Sequence, residues 1–132
     1  MIDFHRLKVW AKAHELTLEI YRASSRFPKE ETYGLTNQMR RAALSIPSNL
    51  AEGCGRNTQA ELAQFSQVAM GSASELEYQL LLAHDLHYLD ESLYQDLSAK
   101  LTEVKRMLNH FILRIRSNSK ATNLPDLHQQ SS

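Results

Sequence analysis

YGLTNQMRRAALSIPSNLAEGCGR, residues Tyr33 to Arg56, is the stretch on which the fold turns. It reads as one helix with a proline inside it and a glycine-rich stop behind it. Leu35, Met39, Ala42/Ala43, Ile46 and Leu50 recur at three- and four-residue steps, and at about 100° per residue they share one face. A polar row, Gln38, Arg41, Ser45, Ser48/Asn49 and Glu52, runs at the same steps beside it. Leu44, Pro47 and Ala51 fall on the remaining side. A helix with this distribution is expected to be clasped around most of its circumference. Pro47 lacks a backbone donor and crowds the carbonyl four residues back, so a kink is expected near Ala43–Pro47. Ser45 and Ser48 are expected to donate to the carbonyls that the kink releases. Gly53-Cys54-Gly55 reads as a positive-φ helix stop, and Glu30 and Glu31 place negative charge at the helix start.

Outward from this helix, the chain shows three further helical periodicities and no strand-like alternation. A first helix over about Phe4–Ser25 carries two apolar rows. One is Phe4, Leu7, Ala11, His14, Leu18 and Tyr21; the other is Val9, Ala13, Leu16 and Ile20. Two adjacent rows predict a wide buried face, and Phe27-Pro28 ends the helix. Thr58 and Glu61 form a capping box that opens a third helix, about Gln59–Tyr88. Its core row is Leu62, Phe65, Ala69, Ala73, Leu76, Leu80 and Ala83. Gly71 in its middle costs about 1 kcal/mol against alanine. The expected compensation is close approach of the second helix near Arg41–Ala43. Asp90 or Ser92 caps a fourth helix running to about Arg116, with a heptad seam of Leu101, Val104, Leu108, Phe111 and Ile115.

The expectation is therefore an all-α chain: an antiparallel up-down-up-down four-helix bundle over residues 1–116, with helix 2 kinked at its proline. Residues 117–132, polar and without a periodic face, are expected to be disordered. The 132 residues carry 15 basic and 15 acidic side chains, and this neutral balance does not favour a protein bound mainly through nucleic-acid phosphates. The charges are segregated: residues 57–99 hold seven acids and no Lys or Arg, and residues 100–120 hold six basic residues and one acid. A single cysteine, Cys54, excludes an internal disulfide and fits a reducing compartment. No apolar run approaches the roughly 20 residues of a membrane span, and MIDFHRLKVW lacks the apolar core of a secretory leader. The reading is cytoplasmic, with no membrane partner.

The pattern YGL-x-x-Q-x-RRA-x-x-SIPSN-x-AEG-x-GR, followed by GS-x-SELE, resembles the four-helix-bundle proteins of the 23S rRNA intervening-sequence (S23) family. The likeness covers roughly Phe4 to Ile115, with Met39 and Leu50 as conservative departures. The resemblance implies the bundle fold and a ring-shaped homopentamer. It also implies a link to nucleic acid, since a related group acts as an accessory to a reverse transcriptase in diversity-generating retroelements. It implies little about activity, since fold does not settle function.

Two sets of candidate residues follow. Gln38, Arg41, Ser45, Asn49, Glu52 and Glu75 are read as a structural polar network, with an Arg41–Glu75 ion pair at its centre, because a buried charge needs its partner. Lys100, Lys105, Arg106, Arg114, Arg116 and Lys120 form a basic strip for RNA or DNA, with Lys8 and Lys12 beside it. The competing reading pairs that strip with the acidic third helix. Gly53–Arg56 has no G-K-[S/T] and no preceding strand, so it is not a phosphate loop. Cys54 has no base near it in sequence. His84-Asp85-x-His87 lacks the Glu-x-x-His form of bundle metal sites. No catalytic residue, metal or cofactor is assigned. The chain reads as a non-enzymatic, self-associating accessory or scaffold for nucleic acid or for a nucleic-acid-processing partner. The alternative is a purely structural protein–protein module.

Overall fold

A computed structural model describes residues 1–118. Helix α1 spans Lys8–Ser24, α2 Leu35–Cys54, α3 Gln59–Asp85 and α4 Glu91–Asn118, and no strand occurs among the described residues. Short 3-10 turns at Phe4–Arg6 and Lys29–Glu31 precede α1 and α2. Each of α2 and α4 packs on both α1 and α3. Pairs that join the first helix and its lead-in to α2 run in opposite numerical order. The Ile2 amide donates to the Cys54 carbonyl (2.9 Å), Thr17 to Ala43 (3.0 Å) and Arg40 to Tyr21 (3.1 Å). Ser72 meets Ser45 at 2.7 Å, and Lys105 meets Glu77 at 2.8 Å.

The core joins Val9, Ala13, Leu16 and Ile20 of α1 to the apolar row of α2, to Leu62, Ala69, Ala73, Leu76, Leu80 and Ala83 of α3, and to the seam of α4. The other row of α1 behaves differently. Leu7 is buried, but Phe4 and Ala11 are half-buried, His14 is exposed, and Leu18 and Tyr21 are each 40% exposed. Periodicity marked that row as apolar. It did not mark how much of the row a neighbour covers: Leu7 meets the core and Arg40 lies over the Tyr21 ring at 4.9 Å, but Leu18 and Tyr21 stay partly open.

The connections show local chemistry. Thr58 accepts from the Glu61 amide at 3.1 Å, as the capping box requires. Glu31 Oε1 accepts from the Leu35 amide at 3.2 Å, placing a carboxylate at the start of α2. Its other oxygen accepts from the Tyr88 hydroxyl at 2.9 Å, tying that start to the α3–α4 connection. Asp90, not Ser92, caps α4 by accepting from the Leu93 amide at 2.8 Å.

Gly53-Cys54-Gly55 is not a positive-φ stop: no described glycine has positive φ, and α2 continues through Cys54. Gly53 is small for another reason, since a Cβ there would stand 3.0 Å from Phe65 Cβ and 3.1 Å from Leu62 Cδ1. The left-handed position is His87 (φ 64), after α3. There the Tyr88 amide bonds the Ala83 carbonyl and the His87 amide bonds that of His84, the paired bonds of a Schellman stop.

Candidate functional site

Pro47 is buried inside α2, and the carbonyl it leaves without an amide donor belongs to Ala43. The donor that reaches it is Thr17 of α1, whose hydroxyl lies 3.0 Å from Ala43 O and 2.8 Å from Ala13 O, so its one proton is shared between the two carbonyls. Ser45 and Ser48, expected in this role, do not fill it. Ser48 is exposed, and Ser45 accepts bonds from Asn49 Nδ2 (2.9 Å) and Ser72 Oγ (2.7 Å). Asn49 Nδ2 also reaches the Ser45 carbonyl at 2.8 Å. Sequence reasoning missed Thr17. The available signal was a hydroxyl four residues after Ala13, on the row that also holds Leu16 and Ile20.

The polar row divides along its length. Ser45 and Asn49 are half-buried and bonded to each other, with Ser72 completing the cluster across α3. Gln38, Arg41 and Glu52 are exposed. Arg41 and Glu75 line one groove of about 370 Å³ with Tyr33, Asn37 and Gln38. No ion pair within 4 Å joins them or links either to another described residue. The expectation that the whole row is enclosed therefore does not hold for a single chain. An exposed arginine keeps its hydration and needs no buried partner, which removes the premise for that pair. Glu52 lies 3.7 Å from Arg56, which also approaches Glu61 (3.8 Å) and covers the Phe65 ring at 5.0 Å. Gly71 has open space around it, not α2; Ser72 next to it makes the approach.

In the basic strip, Lys100 is held by Glu19 (2.6 Å) and Asp96 (3.0 Å), which raises its pKa. Lys105 bonds Glu77 at 2.8 Å, and Lys12 stands 4.0 Å from Glu103. Arg114 and Arg116 also have interactions of their own. Arg106 and Lys8 are exposed without an ion pair to a described residue, and Lys120 lies outside the described residues. The strip's two helix-4 lysines are thus engaged with neighbouring helices, and only part of it faces outward free.

The α3–α4 corner holds an aromatic and ionic clasp. The His84 ring stacks on Tyr94 with centroids 4.1 Å apart. Its Nε2 is 2.9 Å from Glu91, and its Nδ1 is 3.4 Å from Asp85. The hydrogen bond to Glu91 is the main cause that raises its pKa. Glu91 is lowered in turn, first by its bond from Gln95 and then by His84. No described group of three or more His, Cys, Asp or Glu side chains could hold a metal ion. Cys54 is buried, and that burial pushes its thiol up to about 11, so little thiolate exists near neutral pH. No helix among the described residues is long and apolar enough to cross a membrane.

These features define a class: an all-α chain of four packed helices, with a proline-bearing second helix whose released carbonyl is taken by the first. Residues 5–110 match the family described as 23S rRNA-intervening sequence protein, and the chain belongs to that family. Its fold is similar to the crystal structure of a protein of unknown function from the S23 ribosomal protein family of Bacteroides thetaiotaomicron. The TM-score is 0.74 at 24% identity, covering 80% of this chain and 95% of that one. No curated protein matches the sequence.

Proposed function

We propose that this protein is a non-enzymatic, self-assembling scaffold that engages nucleic acid or a nucleic-acid-processing partner. In this reading the four helices form an antiparallel up-down-up-down bundle, with α2 bent at Pro47, and copies associate into a homopentamer in the cytoplasm. The observation that carries the reading is the outer face of α1. Leu18 and Tyr21 of α1 are each 40% exposed, Trp10 and Ala11 of the same helix and Phe4 of the turn before it are half-buried, and Leu44 on α2 is 48% exposed. Ala11, Leu18 and Tyr21 fall on one side of α1 by their spacing, and a contiguous apolar patch is the kind of surface that marks an interaction site. A ring would also repeat any weak nucleic-acid contact around its circumference and strengthen it by multivalency.

Light scattering coupled to size-exclusion chromatography tests the assembly. The expected mass is five times the chain's 15.1 kDa, falling to a single chain when Leu18→Glu and Tyr21→Glu are combined. A wild-type protein that stays a single chain at the highest soluble concentration overturns the reading. Electrophoretic mobility shifts with RNA and DNA at two salt concentrations test the second half. Phosphate-driven binding weakens as salt rises, and binding indifferent to salt contradicts it.

A further inference from the structure

Between the end of α1 and the start of α4 runs a groove of about 240 Å³ lined by Glu19, Arg22, Ala23, Arg26 and Leu93. Arg22 lies in the last turn of α1 and Arg26 in the turn that follows it, and both line this groove. Both are exposed, and neither has an ion pair with a described residue. Most other cations nearby are engaged. Lys100 is held by Glu19 and Asp96, Lys12 stands near Glu103, and Arg40 bonds Ser24 Oγ (2.8 Å) and the Tyr21 carbonyl (3.1 Å). Glu19, the acid in the lining, is committed to Lys100 at 2.6 Å. The groove therefore presents two guanidiniums whose charge nothing in its own lining cancels, beside the apolar surface of Ala23 and Leu93.

We propose that this groove is a phosphate-binding site, with Arg22 and Arg26 as its ligand-gripping residues. A guanidinium presents planar, paired N–H donors that match phosphate oxygens, and it stays charged at any physiological pH. The volume is below that of a drug-sized pocket and suits a single phosphate or one nucleotide end. Ala23 and Leu93 offer a dry surface for the sugar or base attached to it. This inference rests on the nucleic-acid reading above for the source of the phosphate. It moves the contact from the helix-4 strip, whose lysines are already used, to the end of α1.

The full-length chain is titrated with inorganic phosphate and followed by amide NMR shifts. It is titrated separately with 5′-phosphorylated and unphosphorylated single-stranded oligothymidine, followed by fluorescence anisotropy at several salt concentrations. The variants are Arg22→Gln, Arg26→Gln, their combination, and Arg106→Gln as the rival contact from the helix-4 strip; circular dichroism confirms that each keeps its helices. Phosphate is expected to shift amides near residues 22–26 and 91–94. The double variant is expected to lose those shifts and to lower the slope of log affinity against log salt by about one or more, while Arg106→Gln leaves the shifts intact. Glu19→Gln, which removes the one acid, is expected to tighten binding. Phosphate that moves none of these amides, or moves them equally in the double variant, overturns the groove. Oligonucleotide binding that survives in the double variant but falls with Arg106→Gln overturns the groove and keeps the nucleic-acid reading. Phosphate shifts lost only in the double variant, with no oligonucleotide bound by the wild type, keep the groove and remove that reading.

Discussion

Replacing Thr17 by valine tests whether α1 supplies what Pro47 takes away from α2. The side chain is 6% exposed, its shape is nearly unchanged by the substitution, and only the hydroxyl is lost. That hydroxyl lies 3.0 Å from the Ala43 carbonyl, the one Pro47 leaves without its helical donor. A buried acceptor left unsatisfied costs about 1–3 kcal/mol, and some of this is returned because valine has no hydroxyl to desolvate, so a loss of about 1–2 kcal/mol is expected. Pro47→Ala provides the internal control, because it restores a backbone N–H for Ala43 O. In that background the valine removes only the bond to the Ala13 carbonyl, which already has a helical donor, and the cost should fall below about 0.5 kcal/mol. Urea unfolding of the four proteins, followed by circular dichroism at one fixed chain concentration, gives the cycle; the concentration must be held because assembly would add to apparent stability. A coupling of about 1 kcal/mol is expected between contacting sites. If Thr17→Val costs the same in both backgrounds to within about 0.3 kcal/mol, the threonine is not the partner of the proline's orphaned carbonyl.

Two other outcomes are expected from the α3–α4 corner. His87→Gly should stabilise the protein by about 0.5–1 kcal/mol, since His87 holds φ 64, where an L side chain is disfavoured by about 1–2 kcal/mol and glycine gives back part of that gain as backbone entropy; an unchanged or lower urea midpoint would show that the histidine side chain contributes there. The His84 clasp should weaken as pH rises. Its folded pKa lies above the ordinary 6.5, first through Glu91 and then Asp85, so its contribution is fully present below pH 6.5 and is lost as pH climbs through the raised value. Comparing urea midpoints of wild type and His84→Gln from about pH 5 to 8 separates this histidine from the others that titrate there; identical pH slopes would remove it from the account.

The helices were legible because each carries a full period of apolar residues; the stop of α3 at His87 was not, and α3 ends at Asp85 where the sequence reading runs it to about Tyr88. Leu97, Leu101, Val104, Leu108, Phe111 and Ile115 lie buried along one seam of α4, as their spacing requires. The capping box at Thr58 was legible too, because its chemistry is local. The polar contacts between helices were not. Thr17 finds Ala43 across 26 positions and Ser72 finds Ser45 across 27, and no rule of sequence spacing relates such residues. Arg41 and Glu75 were paired on the premise of burial, and their exposure in the chain takes that premise away.

Two features of the outer surface have one physical root. The row Phe4, Leu7, Ala11, His14, Leu18 and Tyr21 gives helix 1 more apolar area than one four-helix core needs, whereas Gly71 is expected to face a close neighbour inside the chain. In the fold Leu7 is buried while Leu18 and Tyr21 lie on the outer side of α1, and a Cβ on Gly71 would meet nothing within 4 Å. A mid-helix glycine costs about 1 kcal/mol against alanine, and here no contact of the single chain offsets it. Val68 and Tyr78, on the same outward side of α3, are 49% and 62% exposed. Periodicity reports that a face is apolar or small; it does not report whether the covering surface belongs to the same molecule. Both features are accounted for together if the covering surface is a second copy, and neither is accounted for by the isolated chain.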